Sequence, residues 1–524
     1  MSTHSFGGAS LQTIRHASTI QARPGQPPSF AGARDCFEST VHWLEGEEAR
    51  ALSHSELEAQ LADKGREMLR RLLQDHLDLR AWCEPRLEEV VGADGAVRSR
   101  VETGHGRGLL TVFGEVKASR LAYRRPGQVN LYPADAALNM PIESQSHGLR
   151  RLAALEASRG SFEGGHDAIE RATGQRLGKR QVEELAQLTA ADFDAFYAER
   201  KPAAAGADGD LLVLSCDGKG IVMRPEALRP ATAEAAAQAD PKFQTRLSPG
   251  EKRNRKRVAE VGAVYDAAPA PRTPVDVLAS SSQQGGRRAR PAPGPVAKSK
   301  WLVASVTEDA AQVVRRVFEE AERRDPEHRR TWVALVDGNN HQIERIKAEA
   351  RSRGVEVAIV VDLIHVLEYV WKAARCFYKE DDPAAESWVL DKALEVLDGE
   401  ADGVAEDIRR QADRDRLDAA KRRAAEQAAD YLAHKAPYLD YPTALAHGWP
   451  IATGVIEGAC RHLVKDRMDI TGARWGLAGA EAVLKLRALV SNGDFDTYWR
   501  YHLLREHQRV HATRYAGRVI PRAA

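Results

Sequence analysis

Three stretches of the chain gather apolar, strand-favouring residues into short runs that each stop at an aspartate. They are Leu211-Leu-Val-Leu-Ser-Cys-Asp217, Thr331-Trp-Val-Ala-Leu-Val-Asp337 and Val355-Glu-Val-Ala-Ile-Val-Val-Asp362. Their length and lack of alternation predict buried strands. Gly218 and Gly338 follow two of the aspartates directly, so another backbone can approach there. Three strands that each end in a carboxylate predict one acidic cluster on the rim of one sheet. Elsewhere a helical period runs over 45–82, with Leu57, Leu61, Met68, Leu69 and Leu72 among charged residues. Short strands are predicted at 97–101, 108–113 and 116–123, the last carrying Lys117 and Arg120, and helices return over 146–198. Further strands fall at 258–265 and 301–306, with amphipathic helices at 309–323 and 341–353. Residues 383 to about 440 are charged, Ala-rich and helical throughout, and two more helices cover 450–472 and 477–490. Strands interleaved with helices in this order predict an α/β protein with a mixed sheet and an all-helical insertion.

The 524 residues suffice for two to four domains with a large core. Hydrophobic residues at 43% and charged residues at 29% are ordinary for a globular chain. No apolar run approaches the ~18 residues of a membrane span, and the N-terminus lacks a signal-peptide core, so no membrane association is expected. Cys36, Cys83, Cys216, Cys376 and Cys460 are scattered with no Cys-x-x-Cys pair. This argues against a disulfide framework or zinc finger and for a reducing cytoplasm. The net charge of +1 decides nothing about partners, so basic patches are judged segment by segment.

Residues 1–44 are rich in Gly, Pro, Ser and Ala, and are expected to be disordered. Helices at 161–172 and 177–188 flank Thr173-Gly174-Gln-Arg, the pattern of a helix-turn-helix. Lys179 and Arg180 open the second helix, where phosphates and base edges would be met; an ordinary helical hairpin has the same pattern. Residues 225–300 read as a flexible basic loop around the strand at 258–265. Within it, Arg253 and Arg255 belong to the run Lys252-Arg-Asn-Arg-Lys-Arg257, which is either solvated or set to neutralise a phosphate backbone.

Two-metal phosphoryl transfer needs carboxylates that hold two Mg²⁺ ions ~3.5–4 Å apart. Hard oxygen donors with retained water suit Mg²⁺, so two or three carboxylates suffice. Asp217 and Asp337 meet that need. A third ligand is Glu457 in Ile451-Ala-Thr-Gly-Val-Ile-Glu-Gly-Ala-Cys-Arg-His-Leu-Val-Lys465. There Ile456, Ala459, Cys460 and Leu463 form a core face, while Glu457, Arg461 and Lys465 share another at i, i+4, i+8. That second face is either a ladder of surface salt bridges or a carboxylate flanked by phosphate-binding cations. Asp362 and His365 are either a helix N-cap with a satisfied histidine, or a pair that orients the metal carboxylates. Arg474 and Trp475 follow the glutamate helix and either pack or grip a phosphate and stack on a base.

Asp217-Gly, Asp337-Gly, the Asp-x-x-His at 362–365 and Gly454-Val-Ile-Glu457-Gly together resemble bacterial insertion-sequence DDE transposases of the ISKra type, related in plan to Mutator-like and hAT-like enzymes. The likeness runs over roughly 100–500 and is strongest at 211–223 and 331–495. It implies an RNase H-like mixed-sheet catalytic domain split by a helical insertion, with Asp217, Asp337 and Glu457 as catalytic metal ligands. Asp362 and His365 become the accompanying motif, with Asp362 in reserve as the second ligand. The implied layout is a DNA-binding region at 45–200 with the helix-turn-helix near 161–188 and a first core segment at 205–382. The insertion at 383–448, a second core segment at 449–500 and a tail at 501–524 follow. The resemblance further implies two Mg²⁺ ions (Mn²⁺ substituting), terminal inverted repeats and target DNA as partners, at least a dimer, and a bacterial nucleoid setting. A nuclease without strand transfer and a non-catalytic DNA-binding regulator derived from a transposase are the competing readings.

Overall fold

A computed structural model of the chain describes residues 30–200, 209–238, 247–279, 292–470 and 472–522. The chain divides into two compact units, one of residues 1–156, 162–182 and 499–524, the other of 157–161 and 183–498.

In the first unit the long helix His54–Trp82 begins at Ser53, whose hydroxyl accepts from the Glu56 amide while the Glu56 carboxylate accepts from the Ser53 amide. This reciprocal pairing satisfies two amides that a helix start leaves without partners. Leu77 of that helix packs with Leu109, Val116, Ala118 and Met140. Those residues come largely from one antiparallel hairpin, β3 (Arg100–Thr111) and β4 (Gly114–Arg124), which follows the short pair β1 (Val90–Val91) and β2 (Val97–Arg98). Two expectations fail here. Residues 31–45 are helical rather than disordered, because the helix Ala31–Glu45 lies against the long helix, with the Ala33 amide donating to Asp75. Residues 1–29 lie outside the described residues. Nor is 501–524 a tail: the helix Phe495–Val510 runs through it, Glu506 pairs with the buried Arg150, and Tyr515 joins a core cluster with Val90, Leu121 and Tyr123. The hairpin of helices at Phe162–Thr173 turns on Gly174 at φ +71°, a conformation that favours glycine, into the helix Lys179–Thr189.

The second unit is α/β, built on a five-stranded mixed sheet. Its strands are β5 (Leu211–Val222), β6 (Lys256–Ala267), β7 (Ala297–Ser305), β8 (Trp332–Val336) and β9 (Val357–Val361), in the spatial order β7-β6-β5-β8-β9. The first three pair antiparallel, while β8 and β9 run parallel to β5. Parallel strands require crossovers, and the helices Ala310–Arg324 and Asn340–Arg353 supply them. Every residue of β8 is buried, as expected for a strand covered on both faces. The helix Ala310–Arg324 buries Val313, Val314, Val317, Phe318 and Ala321 over the sheet. Gly262 in β6 lies directly beneath it.

The stretch expected to be one flexible loop at 225–300 is largely ordered among its described residues. Beyond β6 and β7 it contains the helices Pro230–Ala237, Pro249–Arg253 and Pro274–Ala279. Its basic run was misleading because Lys256 and Arg257 pair in the sheet with Val222 and Ile221, and the Arg257 guanidinium donates to the Val306 carbonyl. Residues 239–246 and 280–291 lie outside the described residues. Between β9 and the glutamate segment stand the helices Leu363–Phe377, Pro383–Leu397, Ala401–Arg414 and Ala419–Lys435. Buried alanines such as Ala405, Ala412, Ala425 and Ala428 let these helices approach closely. Among the described residues, no helix is long and apolar enough to cross a membrane.

A Cβ added at Gly262 would stand 2.5 Å from Val317 Cγ2 and 3.1 Å from Val303 Cγ1. Gly262→Ala is therefore expected to lower stability by about 1–3 kcal/mol through overpacking, read as a shift of the urea midpoint. An unshifted midpoint would refute this contact between helix and sheet.

Candidate metal centre

The site is built where β8 and β9 end, at Asp337 and Asp362, beside Asp217 in the middle of β5. That strand does not stop at its aspartate as expected, because its pairing with β6 continues to Val222. Ser215 pairs with Leu335, and Val336 with Val361. Continuing those registers sets Asp217 beside Asp337 and Asp337 beside Asp362, on adjacent strands ~4.8 Å apart. Each aspartate is held by a neighbouring donor. Asp217 accepts from the Gly218 amide at 2.6 Å and from the Cys460 thiol at 3.2 Å. Asp337 accepts from the Asn339 amide at 2.8 Å, and Asn339 in turn caps the helix Asn340–Arg353. Asp362 is fully buried and caps the helix Leu363–Phe377 with one oxygen, which accepts from the Ile364 amide at 3.0 Å. Its other oxygen accepts from the Thr453 hydroxyl at 2.5 Å and lies 3.1 Å from His365 Nδ1. Both readings of Asp362, helix cap and site member, therefore describe the same side chain.

Glu457 arrives on the short helix Gly454–Ala459. Its Oε1 lies 3.2 Å from the Thr453 hydroxyl. Ligand atoms of Asp362, His365 and Glu457 all lie within 4.8 Å of one another, and this is the one such group among the described residues. The expected trio was Asp217, Asp337 and Glu457. Instead, Glu457 groups with the pair assigned an accompanying role, while Asp217 and Asp337 stand at the same sheet edge outside that group. The reason is helical spacing: Glu457 sits toward Asp362, and Cys460, almost one turn later, sits on Asp217. Burial raises the Cys460 thiol pKa, and the Asp217 charge raises it further, so the thiol stays protonated and donates.

The electrostatics tie the edge together. Burial alone would lower the His365 pKa, but the hydrogen bond and charge of Asp362, with Glu368 and Asp337 farther off, raise it overall. Lys435, buried at the end of the helix Ala419–Lys435, donates to Asn340 beside Asp337. Burial lowers its pKa, and the Asp337 charge opposes that shift. Tyr431 from the same helix brings its hydroxyl within 3.4 Å of the Asp337 carbonyl oxygen. Glu260 of β6, opposite Gly218, is half-buried, and its pKa is raised by burial against the pull of Arg345, with Asp217 adding to the rise. Sequence reasoning missed Thr453, Lys435, Tyr431 and Glu260. Only the Thr453/Glu457 spacing of i, i+4 carried a readable signal.

Among the expected DNA-binding residues, Arg253, Arg461, Lys465 and Arg474 are exposed, and Arg255 is half-buried in the turn leading into β6. The segment Cys460–Lys465 is a π-helical turn, so the straight i, i+4, i+8 face of Glu457, Arg461 and Lys465 does not form. The Arg461 guanidinium lies 3.6 Å from Asp466. The predicted core face does form, with Ile456, Ala459, Cys460 and Leu463 all buried. Trp475 cannot stack on a base: it is buried, its indole N–H donates to the Met468 carbonyl, and Arg467 covers its ring. In the first unit Lys179 is exposed and paired with Glu163 at 2.7 Å, and Arg180 is exposed.

No protein-family model matches this chain, and no curated protein matches it in sequence.

If the trio holds a metal, Glu457→Gln and His365→Ala should each weaken Mn²⁺ binding at least ~10-fold by titration calorimetry. Thr453→Val, which removes only the orienting hydroxyl, should weaken it by roughly 10–100-fold. Equal Mn²⁺ affinity in Glu457→Gln and the parent would rule the trio out as a metal site.

Proposed function

We propose that this chain is a DDE transposase, a metal-dependent DNA phosphoryl transferase that cleaves the ends of an insertion sequence and joins the freed 3′-hydroxyl to target DNA. The observation that carries the reading is the coincidence of Asp217, Asp337 and Asp362 at one level of a sheet edge, with Glu457 docked over it. On this reading the mixed sheet is an RNase H-like core, and the helices over 383–435 are its insertion before the last carboxylate.

The donors fit divalent ions. Asp217 and Asp337 offer hard oxygens suited to Mg²⁺, and the oxygen and imidazole donors of the Asp362, His365 and Glu457 group also suit Mn²⁺. Ions held by these residues would supply activation of the attacking hydroxyl and neutralise charge at the phosphate. The chain's own groups do the positioning. The Gly218 amide and Cys460 thiol fix the Asp217 carboxylate, and the Asn339 amide fixes Asp337. Thr453 stands between Asp362 and Glu457, so its hydroxyl couples the strand-borne and helix-borne ligands. Arg253, Arg255, Arg461, Lys465 and Arg474 are the phosphate contacts in this reading, and the hairpin of helices with Lys179 and Arg180 recognises the terminal repeats. Joining two ends in one reaction calls for at least a dimer, acting at the bacterial nucleoid.

Asp217→Asn tests the reading. On duplex DNA carrying the ends of the chain's own element, it is expected to retain binding and to lose Mg²⁺-dependent cleavage at least ~100-fold, the scale of removing one preorganised charge-stabilising group. Cleavage at the parental rate would overturn the assignment. Cleavage by the parent without any joined product would identify a nuclease instead.

A further inference from the structure

We propose that the cleft between the helix Leu363–Phe377 and the insertion helix Ala419–Lys435 binds the phosphodiester backbone of a single nucleic-acid strand beside the metal centre. The cleft measures about 640 Å³, and Tyr369, Lys372, Arg375, Lys421, Gln427 and Tyr431 line it together with small side chains and Cys376. No carboxylate lines it.

Charge pairing distinguishes it from the rest of the insertion. Most cations on these helices have acidic partners: Lys392 with Glu395 and Asp407, Arg409 with Asp430, Arg410 with Asp407, and Arg422 with Asp413. Lys372, Arg375 and Lys421 are exposed, and among the described residues none of their side chains has a carboxylate partner. Three unpaired cations around one concavity repel each other, and a polyanion relieves that repulsion while releasing its counterions.

The cleft and the candidate centre share one helix, Leu363–Phe377. His365, Tyr369 and Lys372 follow at i, i+4 and i+7 on one side of the same helix. Tyr369 and Tyr431 stack at 3.7 Å and 6°, bridging the two helices, and the Tyr431 hydroxyl reaches the Asp337 carbonyl. Lys372 Nζ sits 4.0 Å from the Tyr369 ring centre. Tyr369 gives one face to Tyr431 and Lys372 lies over its ring, so the tyrosines wall the cleft while the row of cations meets the phosphates of a strand. The inference rests on the reading that the adjacent centre acts on DNA.

The test uses the full chain and fluorescence anisotropy with single-stranded and duplex DNA oligonucleotides over a salt series. Replacing Lys372, Arg375 and Lys421 together by Gln should weaken single-strand binding roughly tenfold to a hundredfold at 0.1 M salt. It should also flatten the log–log salt slope by about 2, at about 0.7 per phosphate contact. The control pair Lys298→Gln and Lys300→Gln, exposed on β7, should change neither. Mn²⁺ affinity equal to the parent's shows that the triple variant is folded. Should the triple variant misfold, Lys421→Glu alone decides, with a loss of about tenfold expected. Parental affinity and slope in the triple variant, or in Lys421→Glu if the triple misfolds, would overturn the proposal, as would an equal loss in the control pair or a larger loss on duplex than on single strand. If these cations govern strand binding but the parent cuts no DNA, the cleft stands and the catalytic reading falls.

Discussion

The parallel register of β5, β8 and β9 is the constraint on which the candidate site depends. A slip of one residue in any of these strands would send its side chains to the opposite face and move its aspartate away from its neighbours. Burial prevents that slip. β8 is enclosed throughout, the first five residues of β5 are buried, and Trp332 is among the largest fully buried side chains. Specific polar contacts add to it: the Ser215 hydroxyl donates to the Leu335 carbonyl, and the Gln342 side chain donates to the Cys216 carbonyl. Position in the sheet thus converts three remote aspartates into neighbours.

Three carboxylates on adjacent strands repel one another, and the surrounding groups offset that cost without neutralising the edge. Backbone amides serve all three, a thiol serves Asp217, and a hydroxyl and an imidazole serve Asp362. The helix Ala419–Lys435 contributes as well. Lys435 and Tyr431 come from a helix nearly one hundred positions downstream of Asp337 and close one side of its loop, where Gly338 at φ +89° leaves space for the Tyr431 hydroxyl. That helix therefore forms part of the wall of the site.

The helix carrying Glu457 decides which carboxylates group. Its first turn sets Thr453 and Glu457 against Asp362, and its continuation as a π-helical turn buries Cys460, Leu463 and Val464 while turning Arg461 and Lys465 outward. A π-helical turn changes which residues share a face, so side chains spaced at multiples of four no longer align.

Local pattern alone placed the three strands and ended β8 and β9 at Asp337 and Asp362, whereas β5 runs past Asp217 to Val222 because its pairing with β6 continues there. The apolar runs before Asp217, Asp337 and Asp362 have no other good use than buried strands, and the alanine-rich helices after Pro383 follow from composition. The core face at Ile456, Ala459, Cys460 and Leu463 was legible for the same reason: helical periodicity is a short-range property. Composition failed where packing overrode it. The Gly- and Ala-rich start of the chain folds as a helix from Ala31 because a neighbouring helix receives it, and the basic run at 252–257 leads into a sheet strand. Only the tertiary structure decided that Glu457 meets Asp362 and His365, that Cys460 meets Asp217, that Trp475 is buried, and that Lys435 and Tyr431 border Asp337. Each of those contacts joins residues that no periodicity links, and close packing of whole elements fixes them.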